Sequence, residues 1–209
     1  MGLVHDLNEL KRGKSFGRIV MNNLLSKEMA FCHGRWLDVG GGAPSYLKYL
    51  PADCVRVNTD VKIGIDWTFL DAEKAFPFVA AEFEGVIALN MLYIVCDPAF
   101  TLGEIKRVMK PGATFIATFP FFFSENPEPH DYHRWTREGV EKILIDAGFC
   151  DIVITPVGGV GTSFAMTLMP GRGSKFIQFV AAPVVFVWDK FSIKQNKQAP
   201  CFWLAKARK

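Results

Sequence analysis

The chain has 209 residues, 50% of them apolar, 13% aromatic and 22% charged, which suits one packed domain and excludes a disordered chain, a collagen-like repeat or a disulfide scaffold. Net charge is +3, from 24 Lys and Arg against 21 Asp and Glu, with part of the excess in Lys206, Arg208 and Lys209; no basic stripe points to nucleic acid. The five cysteines (Cys32, Cys54, Cys96, Cys150, Cys201) are scattered and form no Cys-x-x-Cys pair, so neither a zinc site nor a disulfide framework is expected, and a reducing, cytoplasmic setting is. Met1 to Lys14 carries Asp6, Glu9, Lys11 and Arg12 and no long apolar run, unlike a secretory signal. Phe176 to Trp188, the longest apolar stretch, is interrupted by Gln178 and Pro183 and is too short to span a bilayer as a helix.

Taken in chain order, Lys14 to Phe31 predicts an amphipathic helix, within an N-terminal helical segment (1–34) that precedes the main domain (35–209). Trp36 to Val39 predicts a strand that stops at Gly40-Gly41-Gly42, followed by a helix through Ser45, Leu47 and Leu50 closed by Pro51. Val55 to Thr59 is a second strand ending at Asp60, and the unbroken apolarity of Gly85 to Leu89 predicts a third, buried on both sides. Asp97-Pro98 starts a helix with Leu102, Ile105 and Met109 on one face, stopped by Lys110-Pro111-Gly112. Thr114 to Phe119 is the next strand. Thr136 caps a helix carrying Val140, Ile143, Leu144 and Ala147, which Gly148 closes. Cys150 to Thr155 and Cys201 to Ala205 are the remaining strands. This alternation predicts an α/β sheet wound mostly in parallel.

Such a sheet binds ligands at the carboxyl ends of its strands. Gly40 and Gly42 let a ligand approach the backbone where a Cβ would clash, although any tight strand-to-helix turn also uses glycine. A dinucleotide fingerprint wants a third glycine where this chain has Ser45. Asp38, two residues before Gly40, would repel a pyrophosphate but suits a cationic ligand bearing an ammonium and a sulfonium. Asp60, about 20 residues after the first glycine, is placed to accept both ribose hydroxyls. Together the two acids favour S-adenosylmethionine over NAD.

The segment Leu37 to Tyr46 resembles motif I of the class I S-adenosylmethionine-dependent methyltransferases, and Val57 to Asp60 resembles their motif II. Phe69 to Glu73, with Phe76-Pro77-Phe78, resembles the adenine loop of the type 11 subgroup, and Ala88 to Leu92 is similar to motif IV. Leu102 to Phe119, with Glu104 and Arg107, looks like the family's helix, turn and fifth strand. The resemblance runs from about Arg35 to Phe149 and resumes before Lys206. It implies a Rossmann-like doubly wound sheet, mostly parallel with an antiparallel last strand and helices on both faces. It also implies that Asp71 takes the adenine amine, that the Ala72 N–H faces the ring, and that Asn90 and Met91 run beside the methionine part of the cofactor.

Pro120 to Thr136 follows the fifth strand and faces the ligand edge. It resembles a type 11 branch associated with cell-surface glycan assembly, with His130, Asp131, Tyr132, Arg134 and Thr136 at matching positions. A histidine expected near position 126 is Asn126, and a Glu-His pair expected at the end of motif IV is Tyr93-Ile94. His130 and His133 then remain as the bases that can act near neutral pH. Asp131, Tyr132 and Arg134, with Tyr93, are candidates for substrate contact; the alternative is an Asp131–Arg134 ion pair that merely fixes the loop.

Residues 156–195 form a lid or insertion. One reading is a buried helix from Lys175 to Phe191, broken near Pro183, that covers the acceptor. The other is an apolar surface that meets a lipid-linked substrate or the membrane, with Arg172, Lys175, Lys190 and Lys194 at the headgroups. The expected activity is methyl transfer from S-adenosylmethionine to a small-molecule, glycan or lipid-linked acceptor, with peripheral membrane contact and the oligomeric state left open. The rivals are a non-catalytic cofactor-binding or membrane-peripheral protein on the same fold, and an NAD-dependent oxidoreductase.

Overall fold

A computed structural model of the chain describes residues 3–42, 45–61, 67–127, 129–168, 175–194 and 199–209. Ala43 and Pro44 of the glycine turn, Glu128 and Arg172 lie outside the described residues, as do the side chains of Lys175 and Lys194. Successive residues of a strand face opposite sides of its sheet, and this chain uses both sides. The strands are β1 (Gly34–Val39), β2 (Cys54–Asp60), β3 (Thr68–Phe69), β4 (Phe83–Leu89), β5 (Met109–Pro120), β6 (Cys150–Val157) and β7 (Phe202–Arg208). They form one seven-stranded sheet in the order β3-β2-β1-β4-β5-β7-β6. Pairing is parallel from β3 to β5, while β7 runs antiparallel to both β5 and β6.

Leu37, Val39, Val86, Ala88, Phe115, Ala117 and Phe119 share one core with helices α3 (Pro98–Val108) and α4 (Arg137–Asp146). Their strand neighbours Trp36, Ile87 and Ile116 share a second core with Met21 and Leu25 of α2 (Phe16–Glu28). Both helix starts read from sequence are observed: Asp97 accepts from the Phe100 N–H at 3.0 Å and Thr136 from the Gly139 N–H at 3.1 Å. On the second face Trp36 lies so close to β4 that a Cβ on Gly85 would sit 2.4 Å from its ring.

Four elements differ from expectation. The helix through Ser45 to Leu50 is only a single 3-10 turn, Leu47–Tyr49, because Tyr46 is drawn into the interior as a hydrogen-bond donor while Leu47 stays 45% exposed. Helix α3 ends at Val108, and Met109 to Gly112 already belong to β5. One helix escapes the sequence reading, α5 (Val160–Leu168), whereas α1 (Leu3–Lys11) lies within the segment 1–34 expected to be helical. Finally α6 (Lys175–Lys194) runs unbroken through Pro183. Proline removes one helical hydrogen bond, but Ala182 and Val185, on either side of it, are buried in a third core with Leu10, Phe16, Ile19 and Ala165. The opposite face of α6 is not buried: Val184, Val187, Trp188 and Phe191 are 47–66% exposed. Among the described residues no helix is long and apolar enough to cross a membrane.

The glycine turn after β1 is held from below by buried polar groups. Asp38, fully buried, accepts from the Tyr46 hydroxyl and from Arg56 Nε on β2. Arg56 also donates to Asn58 Oδ1, and Asn58 Nδ2 donates to the Gly42 carbonyl at 2.9 Å. The Gly41 N–H donates to the Thr59 carbonyl at 3.0 Å, and Thr59 Oγ1 to the Asp38 carbonyl at 2.8 Å. Burial pushes the Asp38 carboxyl above the usual carboxylate range, against the pull of Arg56 and of the Tyr46 hydroxyl.

Two stability outcomes follow from this packing. Arg56→Met leaves the Asp38 charge buried without its cation and is expected to cost about 3–5 kcal/mol; a urea midpoint corresponding to less than about 1 kcal/mol would contradict the role given to the pair. Gly85→Ala drives a methyl into the Trp36 ring and is expected to cost about 1–3 kcal/mol in the same titration. A neutral result there would mean that the ring has room to move.

Candidate active site

The strand order turns back between β1 and β4, so the crevice of the sheet lies beyond Val39 and Leu89. Two cavities open there. The larger, about 670 Å³, is lined by Gly40, Asp60, Asp71, Ala72, Asn90 and Met91, with His130 and Pro129 at its edge. The smaller, about 360 Å³, lies between the sheet and α2, with Arg18, Asn22, Tyr46, Phe123 and Met166 among its walls. Gly40 and Asn90 line both cavities and so form the lip between them.

That lip is built for close approach. Gly40 has φ +69°, and a Cβ there would sit 3.1 Å from Met91 Cβ. Asn90 adopts φ 52°, a left-handed conformation that asparagine tolerates better than most side chains. Its N–H donates to Thr118 Oγ1 at 2.8 Å, and Thr118 Oγ1 donates back to Asn90 Oδ1 at 2.9 Å, which fixes the turn to β5. Gly42, at φ +50°, leaves its Cβ position 3.5 Å from Asp60 Oδ2.

The loop after β3 forms the far wall. Asp71 accepts from the Glu73 N–H at 3.1 Å and pairs with Lys74 at 3.0 Å. The Lys74 ammonium, helped by that N–H, holds the Asp71 carboxyl below the usual carboxylate range. The Ala72 carbonyl takes the Thr101 hydroxyl at 2.9 Å, and Glu73 accepts from the Cys96 N–H at 2.6 Å, so α3 and the segment before it clamp the loop. Six of the eight expected cofactor contacts (Gly40, Asp60, Asp71, Ala72, Asn90, Met91) therefore meet in one cleft. Gly42 sits beside Asp60, and Asp38 lies beneath the turn rather than in the cavity.

The loop before α4 divides its candidates. His130 lines the cleft and is exposed, its ring stacked on Tyr132 at 5.0 Å. His133 points elsewhere: its Nε2 lies 3.0 Å from the Val95 carbonyl, a hydrogen bond in which that nitrogen is the donor. Asp131 and Arg134 form an ion pair that also takes the Asn126 N–H at 2.7 Å and the Ser124 carbonyl at 3.2 Å, and neither residue lines either of these two cavities. Arg134 holds the Asp131 carboxyl below the usual carboxylate range. Tyr132 is 50% exposed beyond the rim. The two positions that depart from the glycan-assembly pattern touch each other, Asn126 Nδ2 donating to the Tyr93 hydroxyl at 3.0 Å. Of the neighbouring phenylalanines, Phe119 is buried, Phe121 and Phe123 are partly buried, and Phe122 is 46% exposed.

Sequence reasoning missed Arg56, Asn58 and Tyr46. A signal was present: Arg56 and Asn58 alternate with Val55 and Val57 in a strand whose two neighbours make it interior. Polar residues at period two in such a strand face something polar. Arg18, Asn22 and Met166 carried no comparable signal, because they reach the site through the packing of α2 and α5.

Residues 37–117 match the methyltransferase domain family, type 11. No curated protein matches the sequence. Solved structures do match in fold. A S-adenosylmethionine-dependent methyltransferase from Archaeoglobus fulgidus aligns over 97% of this chain and 98% of its own, with TM-score 0.63 and 18% identity. A complex of the Haloferax volcanii Trm112 methyltransferase activator with a methyltransferase aligns over 89% and 87%, with TM-score 0.55 and 19% identity. Phosphoethanolamine N-methyltransferase 2 from Haemonchus contortus, solved with S-adenosyl-L-methionine, aligns over 90% of this chain and 51% of its own, with TM-score 0.56 and 15% identity. The motif-bearing residues 37–117 thus match a methyltransferase domain, and they sit in a sheet whose fold is shared with solved S-adenosylmethionine-dependent methyltransferases.

Proposed function

We propose that the larger cleft holds S-adenosylmethionine and that the methyl group leaves it across the lip formed by Gly40 and Asn90, towards an acceptor in the smaller chamber. The observation that carries this reading is the pair of cavities meeting at that lip, at the switch point of the sheet. The residues fit the group: a Cβ at Gly40 would crowd Met91 at the place where a ligand would cross the backbone, and the buried Asp38 Oδ1 has no hydrogen-bond partner. Asp60 takes the ribose hydroxyls, Asp71 and the Ala72 N–H the adenine, and Asn90 and Met91 flank the thioether region. Asp38 acts through the turn above it, placing negative charge beneath the cationic end.

When bound, the cofactor supplies an electrophilic methyl group. The protein's work is to align the acceptor and exclude water. The apolar walls contributed by Met21, Leu25, Phe123, Met166 and Phe202 suit that task. If the acceptor atom must lose a proton, His130, at the cleft edge, is the group placed to take it. His133, held on the Val95 carbonyl, keeps the loop in place instead. Tyr93, Asp131, Tyr132 and Arg134 shape the rim, with the Asp131–Arg134 pair holding His130 in position.

The acceptor is a small molecule or a glycan intermediate, and the exposed face of α6 favours a lipid-linked one. Val184, Val187, Trp188 and Phe191 recur at helical spacing on that face, with the exposed Lys190 beside them, as in a helix that lies at a membrane surface. The N-terminal segment 1–34 and the helices within 156–195 would then roof the acceptor chamber from the membrane side.

Calorimetry tests the cofactor assignment. S-adenosylhomocysteine is expected to bind the wild type, and Asp60→Ala to weaken it by about ten- to a hundredfold, the cost of losing charge-assisted hydrogen bonds, with NAD showing no binding. Unchanged affinity in Asp60→Ala would remove the ribose from that carboxylate. Vesicle sedimentation tests the surface: the wild type is expected to pellet with anionic phosphatidylglycerol vesicles, and a Val187→Glu, Trp188→Glu double variant to stay in the supernatant. Equal partitioning of the two proteins would sink the membrane reading.

A further inference from the structure

Over two turns of α6 the outer and inner faces differ completely. Val184, Val187, Trp188 and Phe191 are exposed, while Val185, Asp189 and Ser192 are buried. Asp189 is only 6% exposed, and no Lys, Arg or His among the described residues pairs with it. Its carboxylate is held by the start of α5 instead, accepting from the Thr162 N–H at 2.8 Å and from the Thr162 hydroxyl. The Thr162 N–H precedes the bond from the Ser163 N–H to the Gly159 carbonyl, so it has no partner in its own helix. The contact leaves no room for side chains. A Cβ on Gly159 would sit 2.8 Å from Ser192 Oγ, and one on Gly161 2.6 Å from the Val185 carbonyl.

Helix α5 carries this contact to the smaller chamber. Met166, one turn beyond Thr162, lines that chamber, and its Sδ accepts the Gly17 N–H at 3.4 Å. Gly17 is the second residue of α2, so this N–H also lacks a partner within its helix. Pro183 removes one internal bond of α6 just before the exposed stripe, so the second half of that helix depends on outside contacts for its position.

We propose that Asp189 is a latch through which a lipid surface on the outer face of α6 closes the wall of the smaller chamber. This rests on the membrane reading above. Lipid on the outer face excludes water from the turn that carries Asp189, and a hydrogen bond to a carboxylate strengthens as its surroundings dry. The gain falls on the bonds to Thr162, which fix α5 and, through it, Met166 against Gly17. Asp189 is thus a positioning residue, acting on the chamber through Thr162 and Met166. The chamber is complete at the membrane, where a lipid-linked acceptor is found, and looser in solution.

Hydrogen exchange at the Thr162 and Gly17 amides, followed by mass spectrometry with and without phosphatidylglycerol vesicles, reads both contacts. Exchange at both is expected to slow by about tenfold or more when the wild type binds vesicles, the effect of strengthening a hydrogen bond to a charged group. Asp189→Leu is expected to pellet with the vesicles as the wild type does and to show no slowing at Gly17. Thr162→Val removes only the hydroxyl bond and keeps the test decisive should Asp189→Leu fail to fold. It is expected to pellet and to show a reduced slowing at Gly17. Vesicle binding that leaves exchange in the wild type unchanged, or slowing at Gly17 that persists in full in a folded variant, overturns the latch and leaves the membrane reading intact. A wild type that stays in the supernatant overturns the two together.

Discussion

A buried carboxylate that must be neutralised sets the geometry of this molecule. Asp38 stands near the carboxyl end of the interior strand β1, inaccessible to water, where an unpaired charge would cost several kcal/mol. Arg56 and Tyr46 answer it from either side, and Arg56 in turn orders Asn58, whose amide holds the Gly42 carbonyl. The glycine turn is thus fixed by donors and acceptors on the neighbouring strand, and the turn positions the lip that both cavities share. The residue before the 3-10 turn Leu47–Tyr49 is committed to the same carboxylate, since Tyr46 donates its hydroxyl to Asp38.

Much of the architecture was legible in the sequence because local signals and packing agreed. The apolar runs at Trp36, Val86 and Phe115 are the middle of the sheet, and the caps at Asp97 and Thr136 start helices as expected. What was not legible depended on long-range partners. Pro183 is a poor helix residue by itself, yet α6 passes through it because its neighbours on both sides are buried against α1, α2 and α5. Helix α5 has no acidic residue in its first turn and no basic residue in its last, and it follows the Gly158-Gly159 pair, so its sequence carries no local helix signal.

The site divides in the same way. The larger cleft follows the strand ends, and Asp60, Asp71, Asn90 and Met91, singled out from the sequence, line it together. The smaller chamber is assembled from α2, Met166 of α5 and Phe123, which meet only in the folded chain. Two adjacent histidine candidates look alike in sequence, but the backbone directs His130 into the cleft and ties His133 to Val95. Asn126 and Tyr93, 33 residues apart in sequence, hydrogen-bond to one another and join the loop before α4 to the segment after β4.

Catalysis on this scaffold is then largely a matter of position, with an apolar chamber on one side of a two-residue lip and a polar cleft on the other. A crystal structure grown with S-adenosylhomocysteine tests that arrangement most directly. The expected result is adenine against Asp71 and Ala72, ribose on Asp60, and the sulfur at Gly40 and Asn90, facing the chamber beneath α2. A ligand lying wholly on one side of the lip, with its sulfur turned away from the chamber, would contradict it.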